Sequence, residues 1–241
     1  MTGTHEMLVV DNMSKAFGGI LAVDSISFQV RKGEIVGLIG PNGAGKSTIL
    51  EVISGFYAPS KGSVLFEGSR IDGFPPHQVF KRGLTRSFQL AEFLPSFTVF
   101  DTILLPALHN MSLPRAHKRA EEVLELLQLN PIAKKTVSSL VPAEQKRVEM
   151  GRILSSHPMM VLLDEIMAGL TEFEAKSVLS VIRKFNTEGM TFLIVEHRLE
   201  LLSELCDRII AINFGRKVTE GMPEEVMNNK EVIQAYLGKE V

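Results

Sequence analysis

A lysine and a serine closing a glycine-rich turn are the residues of this chain with the most evident chemical use. Gly40-Pro41-Asn42-Gly43-Ala44-Gly45-Lys46-Ser47-Thr48 fits the spacing G-x-x-x-x-G-K-[ST]. Glycines let the backbone curl until successive N–H groups converge on one anion. Asn42, Gly43, Ala44, Gly45 and Thr48 supply that cradle. Lys46 adds an ammonium for the outer phosphates, and Ser47 a hydroxyl for Mg²⁺. The expected ligand is a nucleoside triphosphate. A second device is the apolar run 159–163, which ends in Asp164-Glu165. On a strand end beside a phosphate loop, Asp164 holds Mg²⁺ through water, and Glu165 orients or deprotonates the attacking water. Residues 191–195 repeat this geometry and deliver His197 to the same sheet edge, for a γ-phosphate contact. His5, His77, His109, His117 and His157 have no partners at useful spacing and receive no role.

These groups need a scaffold that carries them to one edge. Residues 34–39 read as a buried strand and 47–53 as a helix, whose N-terminal dipole favours an anion at the loop between them. Residues 7–10, 26–30 and 63–67 look like short strands of an antiparallel edge. Later the pattern alternates: strand 161–163, helix 174–185, strand 191–195, helix 199–205, strand 208–213. Such alternation implies a parallel sheet with helices on its faces. From about 93 to 140 strand signals vanish, and residues 100–109 and 114–127 are helical in pattern. The second of these lines up Val123, Leu124, Leu126 and Leu127 against a charged opposite face. The reading is one α/β domain: a parallel core sheet with antiparallel edge strands (residues 1–92 and 141–241) and an inserted helical subdomain (about 93–140).

Composition narrows the function classes. The 241 residues are 45% hydrophobic and 22% charged, ordinary for a globular chain with an ample core. Lys+Arg 26 against Asp+Glu 28 gives a net charge of −2, so no basic field or polybasic tail points to nucleic acid or anionic lipid. The single cysteine, Cys206, excludes an internal disulfide or a multi-cysteine zinc site and fits a reducing compartment. No apolar run approaches the ~20 residues that span a bilayer, and no signal peptide is evident. A cytoplasmic location follows as the expectation, unless a partner holds the chain at a membrane.

With these motifs the chain resembles the ATP-binding-cassette ATPases over nearly all of its 241 residues. Asp164-Glu165, the glutamine of Arg86-Ser87-Phe88-Gln89, and His197 match that family's Walker B, Q-loop and switch histidine in order and spacing. The resemblance implies a P-loop NTPase core, ATP and Mg²⁺ as ligands, and Gln89 joining Ser47 and Asp164 at the metal and sensing the γ-phosphate. It also implies that Phe17 stacks on adenine, with Val23 part of the same nucleotide site. Similarity is closest to ATPase subunits of branched-chain amino acid-type importers. It is carried by Phe17-Gly18-Gly19, Ile53-Ser54-Gly55-Phe56-Tyr57, Ala168-Gly169-Leu170, Cys206-Asp207-Arg208 and the segments 214–218 and 220–226. Those subunits act in pairs on two membrane permeases at the cytoplasmic face. An external binding protein is engaged only indirectly. Phe93, Leu94, Phe97, Val99 and Phe100 are candidates for a groove that takes a permease helix.

The chain departs from the family at the signature loop. Leu140-Val141-Pro142-Ala143-Glu144 stands where Leu-Ser-Gly-Gly-Gln is usual, ahead of an expected helix over 145–154. In the family this loop donates across a dimer to the partner's γ-phosphate. Val141 has no hydroxyl to donate and Pro142 no N–H. One such bond to a charged group is worth about 1.5–3 kcal/mol, or roughly 10- to 150-fold. Ile166 and Thr171 stand where proline and Asp or Asn are usual. The expectation is an asymmetric pair with a second, signature-intact ATPase subunit; a homodimer, a lipopolysaccharide-export-type ATPase and a nucleotide-sensing module remain alternatives.

Overall fold

The computed structural model of the chain describes residues 5–87 and 94–237. It begins with β1 (Glu6–Phe17), β2 (Ile20–Arg31), β3 (Ile35–Ile39), α1 (Lys46–Ile53), β4 (Lys61–Phe66), β5 (Ser69–Arg70), α2 (Pro76–Lys81) and β6 (Leu84–Arg86). Three helices follow: α3 (Val99–Ala107), α4 (Leu113–Leu126) and α5 (Pro142–Ser155). The last part runs β7 (Met160–Asp164), α6 (Glu172–Thr187), β8 (Thr191–Val195), α7 (Leu199–Leu205) and β9 (Arg208–Asn213). It closes with β10 (Arg216–Gly221), α8 (Pro223–Met227) and α9 (Lys230–Leu237).

Six strands, in the order β10-β9-β3-β8-β7-β6, form the central sheet, parallel except where β10 meets β9. Its inner strands β3, β7 and β8 are buried at every position, which is why they read as unbroken apolar runs. Alternate side chains sort into two cores. Ile35, Val161, Leu163, Phe192, Ile194 and Ile209 pack on one face, with α4, α5 and α6. Val36, Leu38, Leu162, Leu193, Val195 and Ile210 pack on the other, with α1 and the first strands of the chain.

Those first strands correct one expectation. They form their own antiparallel sheet, β2-β1-β4-β5, and share the second core with the parallel sheet instead of lining its edge. Both β1 and β2 have 12 residues, longer than the stretches 7–10 and 26–30. A bulge between Val10 and Met13, with Asn12 at φ 45°, carries the pairing past the polar pair Asp11-Asn12. The polar interruption hid the strand's second half. Between β6 and β7 the described residues hold helices, as the lost strand periodicity foretold. Thr98 and Asp101 close a reciprocal cap on α3, and Ala116, Ala120, Val123 and Leu124 give α4 its buried stripe.

Candidate active site

One edge of the central sheet collects the chemistry. β3 leads into Gly40, β8 leads to His197, β7 ends at Asp164 and β6 at Arg86, and the strand order sets β3, β8, β7 and β6 side by side. Parallel α/β sheets bind ligands beyond these carboxyl ends.

The phosphate loop turns into α1 through Gly45 at φ 101°, a conformation left to glycine; a Cβ there would also lie 2.6 Å from the Ala22 carbonyl oxygen. α1 starts with no side-chain cap and no acidic residue in its first turn, so its N–H groups stay available to an anion. Lys46 is buried and donates to the carbonyls of Gly40 at 2.7 Å and Pro41 at 3.0 Å. Burial lowers its pKa, while the charges of Glu165 and Asp164 oppose that shift. Asn42 and Gly43 are exposed, Ser47 and Thr48 half-buried, and Ala44 buried. Val23 is fully buried behind Gly45 and backs the loop without offering surface to a base. Phe17 is exposed, edge-on to Tyr57 at 5.0 Å between centroids, with the Lys15 ammonium 5.0 Å from its ring.

Asp164, the last residue of β7, is held by two residues that the sequence did not single out. Its Oδ2 accepts from an Arg86 N–H at 2.9 Å, the carboxylate being buried and the arginine partly so. Its backbone N–H donates to Ser87 Oγ at 2.8 Å. Oδ1 is buried and has no hydrogen-bond partner among the described residues. That orphaned carboxylate oxygen suits a hard cation. Mg²⁺ takes few protein ligands, the rest coming from water and phosphate. No cluster of three or more His, Cys, Asp or Glu able to hold a metal exists among the described residues.

Glu165 sits at φ 51°, in the left-handed region, where a non-glycine residue costs about 1–3 kcal/mol. Its N–H donates to the Val195 carbonyl at 2.9 Å, and its Oε1 lies 2.6 Å from His197 Nε2. The turn after it is anchored by Glu196, which is buried and accepts from the Met167 N–H at 2.7 Å. Burial pushes the Glu196 carboxyl above the ordinary range. Lys146 of α5 donates to the Ala168 carbonyl, tying the same turn to the helix behind the signature loop. Ile166 is buried, and Thr171 caps α6 reciprocally with Glu174, the same work that Asn or Asp does at a helix start. Gln89 lies outside the described residues.

At the signature loop Leu140 is buried and Val141 exposed. α5 starts at Pro142, earlier than the expected 145, because proline suits a first helical turn. The Val141 N–H donates to Glu144 Oε2 at 3.1 Å, so a carboxylate of the chain itself covers this helix start. Ala143 is half-buried beside it.

The residues expected to offer a groove over 93–100 fall on different sides of the helical layer, with Phe97 half-buried. Val99 is fully buried and Phe100 packs on the core, because that face of α3 fills the helical layer; Leu94 is exposed, and Phe93 lies outside the described residues. A separate cavity of about 460 Å³ opens between Phe56, His77, Phe80, Leu105, His109 and Arg86. No local signal marked His77 and His109, which tertiary packing brings to the lining of one cavity.

The family model for the ABC transporter matches residues 23–168, and that for the branched-chain amino acid ATP-binding cassette transporter matches 216–241. The chain belongs to the ABC transporter family and is one of its ATPase cassettes. It is 34% identical to the high-affinity branched-chain amino acid transport ATP-binding protein LivG of Salmonella typhimurium, over 98% of this chain and 99% of that one. It is 33% identical to a probable LivG of Archaeoglobus fulgidus, with 97% and 96% covered. Among solved structures, the ADP conformation of MJ1267, a cassette of an ABC transporter, superposes with a TM-score of 0.87 at 30% identity, covering 98% and 100%. The dimeric cassette MJ0796 with ADP and Pi gives 0.82 at 25% identity, covering 90% and 99%.

Proposed function

We propose that this chain is the ATP-hydrolysing subunit of an importer for branched-chain amino acids or a similar small polar solute. The observation that carries this reading is likeness to branched-chain amino acid transport ATP-binding proteins along essentially the whole chain, including the C-terminal segment 216–241. No helix among the described residues is long and apolar enough to cross a membrane, so separate permease subunits must supply the path. Two of them would sit at the cytoplasmic face. The groove at Phe56, Phe80 and Leu105 is the surface offered to a permease helix.

In this reading the phosphate-loop amides and Lys46 hold the triphosphate of ATP, and Phe17 takes the adenine. Ser47, Asp164 and Gln89 would hold Mg²⁺, which supplies charge neutralisation at the β- and γ-phosphates. Glu165 accepts a proton from water as its oxygen attacks the γ-phosphorus; the bond to the leaving oxygen of ADP breaks, giving ADP and inorganic phosphate. His197 holds the Glu165 carboxylate in line and reaches the γ-phosphate. Gln89 passes the state of the γ-phosphate to the helical subdomain. The partner in the dimer is a second ATPase subunit with an intact signature loop. The site facing Val141, Pro142 and Glu144 would turn over slowly, since this helix start lacks a hydroxyl and an N–H and carries its own carboxylate.

Tagged chain purified from detergent-solubilised membranes, with its companions identified by mass spectrometry, tests the assignment. Two permeases and a second ATPase are the expected companions. A chain without membrane companions would replace the importer with a nucleotide-sensing module, the reading that the altered signature loop favours.

A further inference from the structure

The N–H of Gly40 is where the central sheet ends and the phosphate loop begins, and its partner comes from the far end of the chain. The parallel ladder of β3 with β9 closes at Ile39 opposite Ala211. One residue on, Gly40 is buried, so tightly against the Ile212 carbonyl that no Cβ fits there. A buried backbone N–H must be paired. No ladder carbonyl takes it. It donates instead to the phenol oxygen of Tyr236, at 2.8 Å and 196 residues away in sequence.

Tyr236 stands in the last turn of α9, which Val232 anchors through a nearly complete burial, and the tyrosine packs against the main core. Burial raises its pKa, so the hydroxyl stays neutral at physiological pH. The other end of the loop is held from the same region: the Ala44 carbonyl accepts from the Gly215 N–H at 3.0 Å, just before β10. Between these two fixed points α9 stands off. A cavity of about 550 Å³ separates Asn42 and Gly43 from Glu231 and Gln234. The C-terminal segment therefore grips the start and the middle turn of the loop while leaving room beside its exposed tip.

We infer that Tyr236 is a positioning residue for ATP: its hydroxyl fixes the point where strand becomes loop, and through it the C-terminal helix sets nucleotide affinity. The phenol replaces the carbonyl that a further sheet residue would have offered, so loop amides are aimed from a fixed origin. Without it, the first peptide of the loop is free to rotate toward another acceptor, and the loop must be reordered each time a triphosphate enters.

The test is Tyr236→Phe in the full chain, which keeps the ring and its packing and removes only the acceptor. Equilibrium titration with a fluorescent ATP analogue should show affinity weakened by about two- to tenfold, the range to which the net worth of one neutral hydrogen bond converts. In the ATPase assay KM should rise with kcat nearly unchanged. Unaltered Kd and KM, even with a lower melting temperature, would reduce Tyr236 to a packing residue and overturn the inference. A wild-type measurement stands independently of that variant's folding. Coupling between sites is reciprocal. ATP should therefore slow backbone amide exchange in residues 230–237, read by mass spectrometry on proteolytic peptides. Exchange in that helix that ignores ATP would equally overturn the assignment.

Discussion

Helices α1 and α5 both begin at loops that matter to a triphosphate, yet they surround their starts with opposite electrostatics. α1 has no side-chain cap, no acid in its first turn and a glycine at its N-cap. α5 begins with proline and has Glu144 drawn back onto the Val141 N–H. Uncapped N–H groups are a cost to an isolated helix, since a side-chain cap contributes about 0.5–2 kcal/mol. α1 forgoes that stabilisation and leaves the donors for an anion. α5 has no side-chain cap on its first turn either, but it sets the Glu144 carboxylate beside its start, where a second anion is disfavoured. An anion-binding helix is thus made partly by what its sequence withholds. The surroundings follow suit: the loop before α1 is fixed by hydrogen bonds to Tyr236 and Gly215, whereas Val141 faces solvent.

The largest expected effect separates binding at α1 from chemistry at the next strands. Glu165→Gln keeps the loop, Lys46 and the helix start, so ATP should bind as before. Turnover should fall by about 10²–10⁴-fold, the usual worth of a general base. Steady-state hydrolysis beside nucleotide titration measures both. Retained hydrolysis would remove Glu165 from the base role. Next comes the support of Asp164. Arg86→Met leaves a buried carboxylate without its counter-charge, a loss of about 3–5 kcal/mol in stability for broken buried pairs. Thermal unfolding without nucleotide should show it, and added Mg²⁺ with ATP should recover part, because Asp164 then has another cation. A melting curve indifferent to this substitution would mean that the pair is not holding the strand end.

Reopening α5 is the direct test of the comparison. Val141→Ser with Pro142→Gly restores a hydroxyl and an N–H at the second helix start. If closure is what slows the partner-facing site, per-site turnover of the dimer should rise by roughly 10- to 150-fold, following from about 1.5–3 kcal/mol for a hydrogen bond to a charged group. Unchanged turnover would mean that a cassette dimer tolerates a closed helix there, and the contrast would carry no functional weight.

How much of this was legible depended on sequence distance. The phosphate loop is a contiguous stretch, and β3, β7 and β8 announce themselves because both of their faces are buried. Asp164 and Glu165 follow from being the first charges after such a run. Arg86, however, meets Asp164 across 78 residues and Tyr236 meets Gly40 across 196, and neither has a periodicity that local reading detects. The stretch 93–100 shows a related effect. An aromatic-rich stretch such as 93–100 reports apolar surface, but packing decides which side is covered, and Val99 went inward. Thr171 was visible only as a departure from the family pattern. Its geometry shows that hydroxyl and carboxamide are alternatives for one task at a helix start.

That task gives the smallest prediction and the finest control on the comparison. α6 is a third helix start, where the single acid-to-N-cap bond of α5 becomes a reciprocal pair: Glu174 N–H donates to Thr171 Oγ1 at 3.3 Å, and the Thr171 N–H to Glu174 Oε2 at 2.8 Å. Unlike α5, its closure sits where the family also closes the helix, so opening it should affect stability alone. Thr171→Ala should cost about 1 kcal/mol, seen as a melting temperature about 2–4 °C lower, with Kd for ATP unchanged. Thr171→Asn should restore the melting temperature, because a carboxamide caps as well as a hydroxyl. A change in turnover larger than that in stability would show that the turn from Glu165 to Thr171 senses its helix cap, and closure of a helix start would then act on chemistry through backbone placement as well as by blocking an anion.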